Sequence, residues 1–529
     1  MRLQKRLGIF LLLSIFLFLG SCTKQATQRK SEEPAPTTEK RLGKETSSEK
    51  TVLKMGAAVD FKNNPEAATL VAEQLILLSP SREVLPCMAK SWDVNEQYTE
   101  FTFHLPEDLK FNNGDPVTLE DFDRSLRVIG KKEYVSFADK IKNISMPDKT
   151  TLKIELKEPQ LYLLPELTKI GVFKASEIDD EGNIREYIGT GAYVLDAYSA
   201  NVSAHLVKNP YFRNKDQYEV DEIDWIVLPD GEARRLALLS GQVDVIGISE
   251  HWESVSFADA SELKKNENFS SIQQNTEWYT IVRGINMNWK TGPLQDVFLR
   301  RALMYAVNRE ELNETLFFGQ IQPCGHLFNP KFDDGPKGYP AFNYDLKKAK
   351  DLLKEGGYEE KDGKLLKEGQ PVKLRFIIGT KPEAADLAIF LKNSFQELGI
   401  DTEIETFEGK LITEELEKGA FDLRIFAGMF EPMVTSIKFD GIGNEFSKSG
   451  LGFGVNDAAI AAGQGILDAK SMEELSQYAD AYWKEQYKEC PMIPLYNSGR
   501  FAFFNKNWEG FYFTGYGDIE LSKVRRVHE

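Results

Sequence analysis

The sequence predicts a multi-domain α/β protein, and three observations carry that prediction. Apolar and polar residues alternate in Phe101-Thr-Phe-His-Leu105 and in Thr151-Leu-Lys-Ile-Glu-Leu156, the period of half-buried strands. In Arg301-Ala-Leu-Met-Tyr-Ala-Val-Asn308 and in Ala385–Phe395 the apolar residues recur at three and four, as on an amphipathic helix. The two patterns then alternate, as in Leu374–Ile378, the helix after Lys381, and Asp401–Thr406. Such alternation argues for partly parallel sheets. With 529 residues the chain has room for two to four domains. A core of that size needs neither disulfides nor metals to hold it.

The N-terminus stands apart from this body. Met1-Arg-Leu-Gln-Lys-Arg6 is basic, and the apolar run Leu7–Leu19 that follows has 13 residues. That is too short to span a bilayer but suits a signal peptide. Leu19-Gly-Ser-Cys22 resembles the lipobox of bacterial lipoproteins, in which cleavage before the Cys leaves its thiol to carry a diacylglycerol. The other reading is an ordinary secretory signal with a chance Cys. Two or three acyl chains anchor stably where one is marginal. The mature protein is therefore expected on the periplasmic or extracytoplasmic face, membrane-anchored by a lipid on Cys22. Residues 1–21 read as the signal, and 22–50 as the lipidated Cys plus a polar tether almost without apolar residues. Such a tether has too little to bury to offset its ordering entropy, so it is expected to be disordered.

Charge and composition narrow the function. With 65 Lys+Arg against 82 Asp+Glu the formal net charge is −17, which argues against a nucleic-acid partner. The signal carries +3 and the tether +2, which leaves −22 on the body. The five His and four Cys share no metal-ligand spacing, so no metal site or cofactor is expected. Ser261-Glu-Leu-Lys264 and Lys290-Thr-Gly292 look like fragments of a penicillin-binding active site, but there is no S-D-N and too little chain between them. Gly450-Leu-Gly-Phe-Gly454 reads as a loop, because it lacks the strand–helix frame of a dinucleotide fold. Cys87, Cys324 and Cys490 leave open one disulfide or buried thiols. These features rank an exported, tethered binding protein above an exported hydrolase; a surface adhesin is a third class.

Longer motifs then point to a family. Ala89–Leu105 followed by Leu109-Lys-Phe-Asn-Asn-Gly-Asp-Pro-Val-Thr-Leu-Glu-Asp-Phe122 reads as a hairpin, a turn, and a helix opened by Thr118. Next come Gly189-Thr-Gly-Ala-Tyr-Val194, Lys208-Asn-Pro-Tyr-Phe212 and Leu239-Ser-Gly-Gln-Val-Asp-Val245. Pro293–Arg309, Tyr344–Tyr358 and Pro491-Met-Ile-Pro-Leu-Tyr496 complete the series. Wording and order closely resemble the peptide/nickel class of solute-binding proteins of ABC transporters. Within Pro293–Arg309 the residues have ordinary structural roles: Pro293 and Asp296 start a helix, Arg300 pairs with acids, and Ala302 and Ala306 allow close packing.

The resemblance implies a two-lobe, periplasmic-binding-protein-like (Venus flytrap) fold with an extra domain inserted in the first lobe. Lobe I would comprise residues 51–79, 189–282 and 500–529, the extra domain 80–188, and lobe II 283–499. The lobes would close on an oligopeptide by a hinge motion and deliver it to an ABC transporter permease, the protein acting as a monomer without catalysis. Family oligopeptide binders pair an aspartate with the peptide's α-ammonium, on a W-x-x-D-[YW] segment before D/E-P. Here that stretch is Phe421-Asp-Leu-Arg-Ile-Phe-Ala-Gly-Met-Phe-Glu-Pro432. Aligned on Glu431-Pro432, the aspartate position falls on Gly428 and the tryptophan on Ile425; a three-residue deletion puts the acid on Glu431. Phe426, Met429, Phe430 and Glu431 are therefore candidate cleft residues, Glu431 as cation partner, and the alternative for Glu431-Pro432 is a plain turn. Tyr279 and Arg283 are candidates on the strand entering lobe II, against core packing and a surface ion pair. Modified or cell-wall peptides, or another small solute, remain alternative ligands.

Overall fold

The computed structural model describes residues 50–132, 137–247, 255–274, 281–332, 335–429, 456–497, 499–515 and 519–527. Cys22, Tyr279, Phe430, Glu431 and the Gly450–Gly454 run lie outside the described residues.

The first of three main sheets has seven strands. In spatial order they are Phe269–Gln273, Phe501–Asn505, Val245–Ile246, Val52–Ala57, Glu222–Val227, Ser203–Lys208 and Tyr193–Ser199. Val52–Ala57 lies inside the sheet and runs parallel to both neighbours, with Met55 opposite Trp225 on one side and Val245 on the other. Leu53, Met55 and Ala57, at alternate positions and so on one face of the strand, are all buried, while Lys54 between them is exposed. Its entry is pinned by ions: Lys50 pairs with Glu222, and the Thr51 amide donates to Asp221 Oδ2 at 2.9 Å.

The second sheet has six strands in the order Gln322–Pro323, Met492–Asn497, Ile281–Met287, Leu423–Met429, Lys373–Ile378 and Asp401–Thr406. Every residue of Met492–Asn497 is buried. The helices Val297–Ala306, Pro382–Gln396 and Met472–Glu489 contribute to its core, with Leu303, Leu391 and Trp483 packed alongside Ile285, Phe376 and Ile493. The motif from Pro293 to Arg309 builds this core. Asp296 accepts from the Phe298 amide at 2.9 Å and so caps its helix. Arg300 pairs with Glu489 at 3.0 Å and donates to the carbonyls of Leu294, Gln295 and Glu489. Ala302 and Ala306 are buried.

At the edge of this sheet Arg375 holds Glu405 with two bonds of 2.7 Å. The guanidinium keeps the Glu405 carboxyl below its ordinary range. A depressed carboxylate stabilises the fold above its unfolded pKa of about 4.3, and that stability is lost as pH falls through the folded value. Both side chains are about one-third exposed, so solvent screening limits the effect to about 1 kcal/mol at most. Glu405→Gln should therefore lower the urea midpoint at about pH 6, by an amount that shrinks as the pH is taken below about 4. A difference that persists unchanged at the lower pH would refute this.

The third sheet is antiparallel: Ser91–Val94, Glu100–His104, Thr151–Leu156 and Ile141–Asp148. Phe101, Phe103, Leu152 and Ile154 meet Phe122 of the helix Leu119–Arg124 beneath it. That helix starts where Thr118 was expected to open it, with the Asp121 carboxylate accepting from the Thr118 amide at 2.7 Å. The Gly189-Thr-Gly191 motif ties this part to the first sheet. The Gly191 amide donates to Val71 O at 2.7 Å, the Asn112 amide to Gly189 O at 2.9 Å, and the Asn209 side chain to Gly191 O at 2.8 Å. Three separate sequence motifs, those holding Asn112, Gly189-Thr-Gly191 and Asn209, thus meet in one hydrogen-bonded junction. Cys87, Cys324 and Cys490 are free thiols, the last two buried.

Candidate functional site

Strand direction locates the site. In the first sheet the parallel strands end at Ala57, Val227 and Ile246, and the paired residues Gln273 and Phe501 lie at that same end. In the second sheet four strands share a direction and end at Ile378, Thr406, Met429 and Asn497, where Ile281 and Gln322 begin the two strands of opposite sense. Between the strands of these two sheets the chain crosses twice, from Gln273 to Ile281 and from Asn497 to Phe501. Both crossings lie at the carboxyl ends. In open α/β sheets ligands bind in the crevice outside those ends, so the two sheets and their crossings define one candidate crevice.

Arg283 is the candidate that the structure places most fully. It pairs with Ala427 on one side and with Tyr496 on the other. Burial lowers its guanidinium pKa to about 10, with Tyr496 opposing the shift. The Tyr496 hydroxyl is itself pushed up to about 12 by burial, and the Phe317 ring packs 4.6 Å from its ring. Met429 closes the neighbouring strand opposite Ile281, while Phe426 sits opposite Gly284. Positions 281, 283, 427 and 429 share one face of the pleat; 284 and 426 share the other. Phe430 and Glu431 follow Met429 directly in sequence.

The register also brings in residues that the sequence did not single out. Asn497, the last residue before a crossing, is 1% exposed, and its Oδ1 accepts no hydrogen bond from the described residues. Gln320 Oε1 is buried in the same condition. Each such acceptor costs about 1–3 kcal/mol. Asn497 and Gln320 are ordinary polar residues, and only knowledge of strand order would have marked them.

The residues suggestive of catalysis stay apart. Lys264, on the helix Phe257–Lys265, lies over the Phe501 ring at 4.4 Å, near the crevice end. Lys290-Thr-Gly292 follows Met287, at the opposite end of the second sheet. Among the described residues no group of three or more His, Cys, Asp or Glu gathers as a metal site, and no helix is long and apolar enough to cross a membrane.

Comparison with known proteins agrees with this geometry. The family described as bacterial extracellular solute-binding proteins, family 5 Middle, matches residues 83–444. The chain is 26% identical over 392 residues to the nickel-binding periplasmic protein of Escherichia coli K12, covering 70% of this chain and 72% of that one. It is 24% identical to the dipeptide-binding protein DppE of Bacillus subtilis, across 98% of both chains. Among solved structures, NikA of Brucella suis in complex with Fe(III)-EDTA superposes with a TM-score of 0.80 at 19% identity, covering 90% of this chain and all of that one. AppA of Bacillus subtilis in complex with a nonapeptide gives 0.67 at 16%, with the same coverage. These structures share the two-lobe α/β fold.

Proposed function

The chain belongs to the bacterial extracellular solute-binding proteins of family 5, and from that premise we propose that it captures oligopeptides and delivers them to an ABC importer. The observation that carries this is the pairing of two sheets by two crossings at their carboxyl ends. A ligand touching both lobes draws them together, and its differential affinity for the closed state supplies the signal that a permease reads. No bond is made or broken, so the protein is not an enzyme. Peptide is favoured over a bare metal ion because His is scarce, and over other solutes because a dipeptide-binding relative spans nearly the whole chain.

In this reading residues 51–79, 189–282 and 500–529 form lobe I, 80–188 the extra domain, and 283–499 lobe II. The hinge lies at the crossings near Arg283 and Gly499. Tyr279, Arg283, Phe426, Met429, Phe430 and Glu431 contact the ligand, with Glu431 opposite its ammonium. Extended peptide backbone pairs with strand-like backbone groups, which leaves side-chain choice broad. The protein works as a monomer on the extracytoplasmic face, held by a lipid on Cys22.

Native mass spectrometry of the protein extracted from membranes tests the whole reading. A peptide released on unfolding and a diacylglycerol mass on Cys22 are the expected results. A ligand-free protein that hydrolyses a peptide or ester panel would replace transport with catalysis. Glu431→Gln should weaken a free-amine tripeptide by about tenfold or more while sparing its N-acetylated form. Equal loss for both would remove Glu431 from that role.

A further inference from the structure

Beyond the two chain crossings, a small set of side chains among the described residues joins the first lobe to the second, and none of the ligand contacts explains it; the extra domain meets the second lobe separately, with Lys470 4.0 Å from Glu158 and Arg82 over the Phe332 ring. Phe257 begins the first-lobe helix Phe257–Lys265, yet its ring packs against the cores on both sides of the seam. It meets Phe317 edge-on with centroids 4.8 Å apart, and Phe317 in turn packs on Tyr496. Beside the rings, Gln320 Nε2 donates to Phe257 O at 2.6 Å, and Gln273 Nε2 donates back across the seam to Gln320 O at 3.1 Å.

The loop that presents Phe317 and Gln320 is held in an unusual shape. Asn313 O accepts from the amides of Phe317 and Gly319 at 3.2 and 3.0 Å, and its side chain accepts from Ile321 at 3.1 Å. Phe318 sits in the left-handed region at φ 54° and is 51% exposed. A bulky residue is strained there and persists only where its surroundings over-determine the turn. The turn points Phe317 inward and brings Gln320 to the seam.

We propose that Phe257, Phe317 and Gln320 form a latch that holds the lobes together in the conformation described here and lets go when they part. The latch is balanced. Ring packing and two amide bonds favour it, while the buried Gln320 Oε1 lacks a donor among the described residues. Parting the lobes gives that oxygen water. A seam so balanced lets a ligand of modest differential affinity decide the outcome. The inference rests on the two-lobe fold and not on which solute is bound.

The test needs no ligand. Gln273→Ala, which removes the donor to Gln320 O, and Phe257→Ala, singly and together, are compared with wild type in the full mature chain after ligand is stripped by unfolding and refolding. Small-angle X-ray scattering reads lobe separation, and hydrogen-exchange mass spectrometry reads residues 257–274 and 317–324. The double variant should show a larger radius of gyration and roughly tenfold faster exchange in those two segments. Exchange in Val52–Ala57 and Lys373–Ile378 should stay at the wild-type rate. Unchanged scattering and exchange would overturn the latch. Equal acceleration in all four segments would also overturn it, by making these contacts part of the folding core. Failure of peptide binding alone would touch the proposed function and leave this result standing.

Discussion

Arg309→Met should destabilise the protein by about 3–5 kcal/mol, seen as a lower urea midpoint in far-ultraviolet circular dichroism. Arg309 is 5% exposed, and its hydrogen bonds among the described residues end on carbonyls rather than on a carboxylate. Its guanidinium donates to Pro494 O at 2.6 Å, Phe342 O at 2.7 Å, and Val307 O and Met304 O at 3.2 Å. Burial pulls its pKa down to about 10, so it stays charged at neutral pH. Methionine fills similar space but leaves those oxygens without donors. Arg309→Lys should recover less than half of the loss, because one ammonium cannot span carbonyls that a planar fork reaches. A methionine variant with the wild-type midpoint would show that the carbonyls find other donors.

Gly189→Ala should cost about 3 kcal/mol, at the upper end of overpacking effects. A Cβ at Gly189 would stand 2.3 Å from Val71 O and 2.9 Å from the Ala72 Cβ. To relieve that contact the backbone must shift away from Val71, which strains the hydrogen bonds of Gly189 and Gly191 that join the first sheet to the third. Gly241 provides the contrast. Its φ is +73° and nothing lies within 4 Å of its added Cβ, so Gly241→Ala should cost only about 1 kcal/mol, through backbone strain. Thermal unfolding of both variants separates the two mechanisms. Equal losses would mean that the close approach at Gly189 relaxes freely.

Much of this architecture was legible because its signals are local. Asp296 and Thr118 sit at helix starts, Ala302 and Ala306 lie four apart on a packed face, and Pro491–Tyr496 reads as a buried run. The crevice was less legible because sheet order is not local. Nothing in the sequence around Asn497 says that its strand ends beside Ile281, and nothing around Gln320 says that it faces Phe257. Arg283 was reached through the resemblance alone, on the strand that enters the second lobe. Phe426 and Met429 carried a warning that the pattern did contain: three residues apart on a strand, they belong to opposite faces. The sequence places Phe430 and Glu431 just beyond that strand's end, which keeps the amine-anchor question attached to the crevice.

The position of Val52–Ala57 also fixes how the molecule bears force. This strand enters the sheet from Lys50, between parallel partners on both sides, and points toward the crevice. Tension applied through the preceding chain therefore loads both hydrogen-bond ladders lengthwise, so that their bonds must slide together instead of opening one by one. The pull arrives at the far end of the first sheet from the crossings. A body held by its N-terminus can be dragged or swung without that load prying its lobes apart.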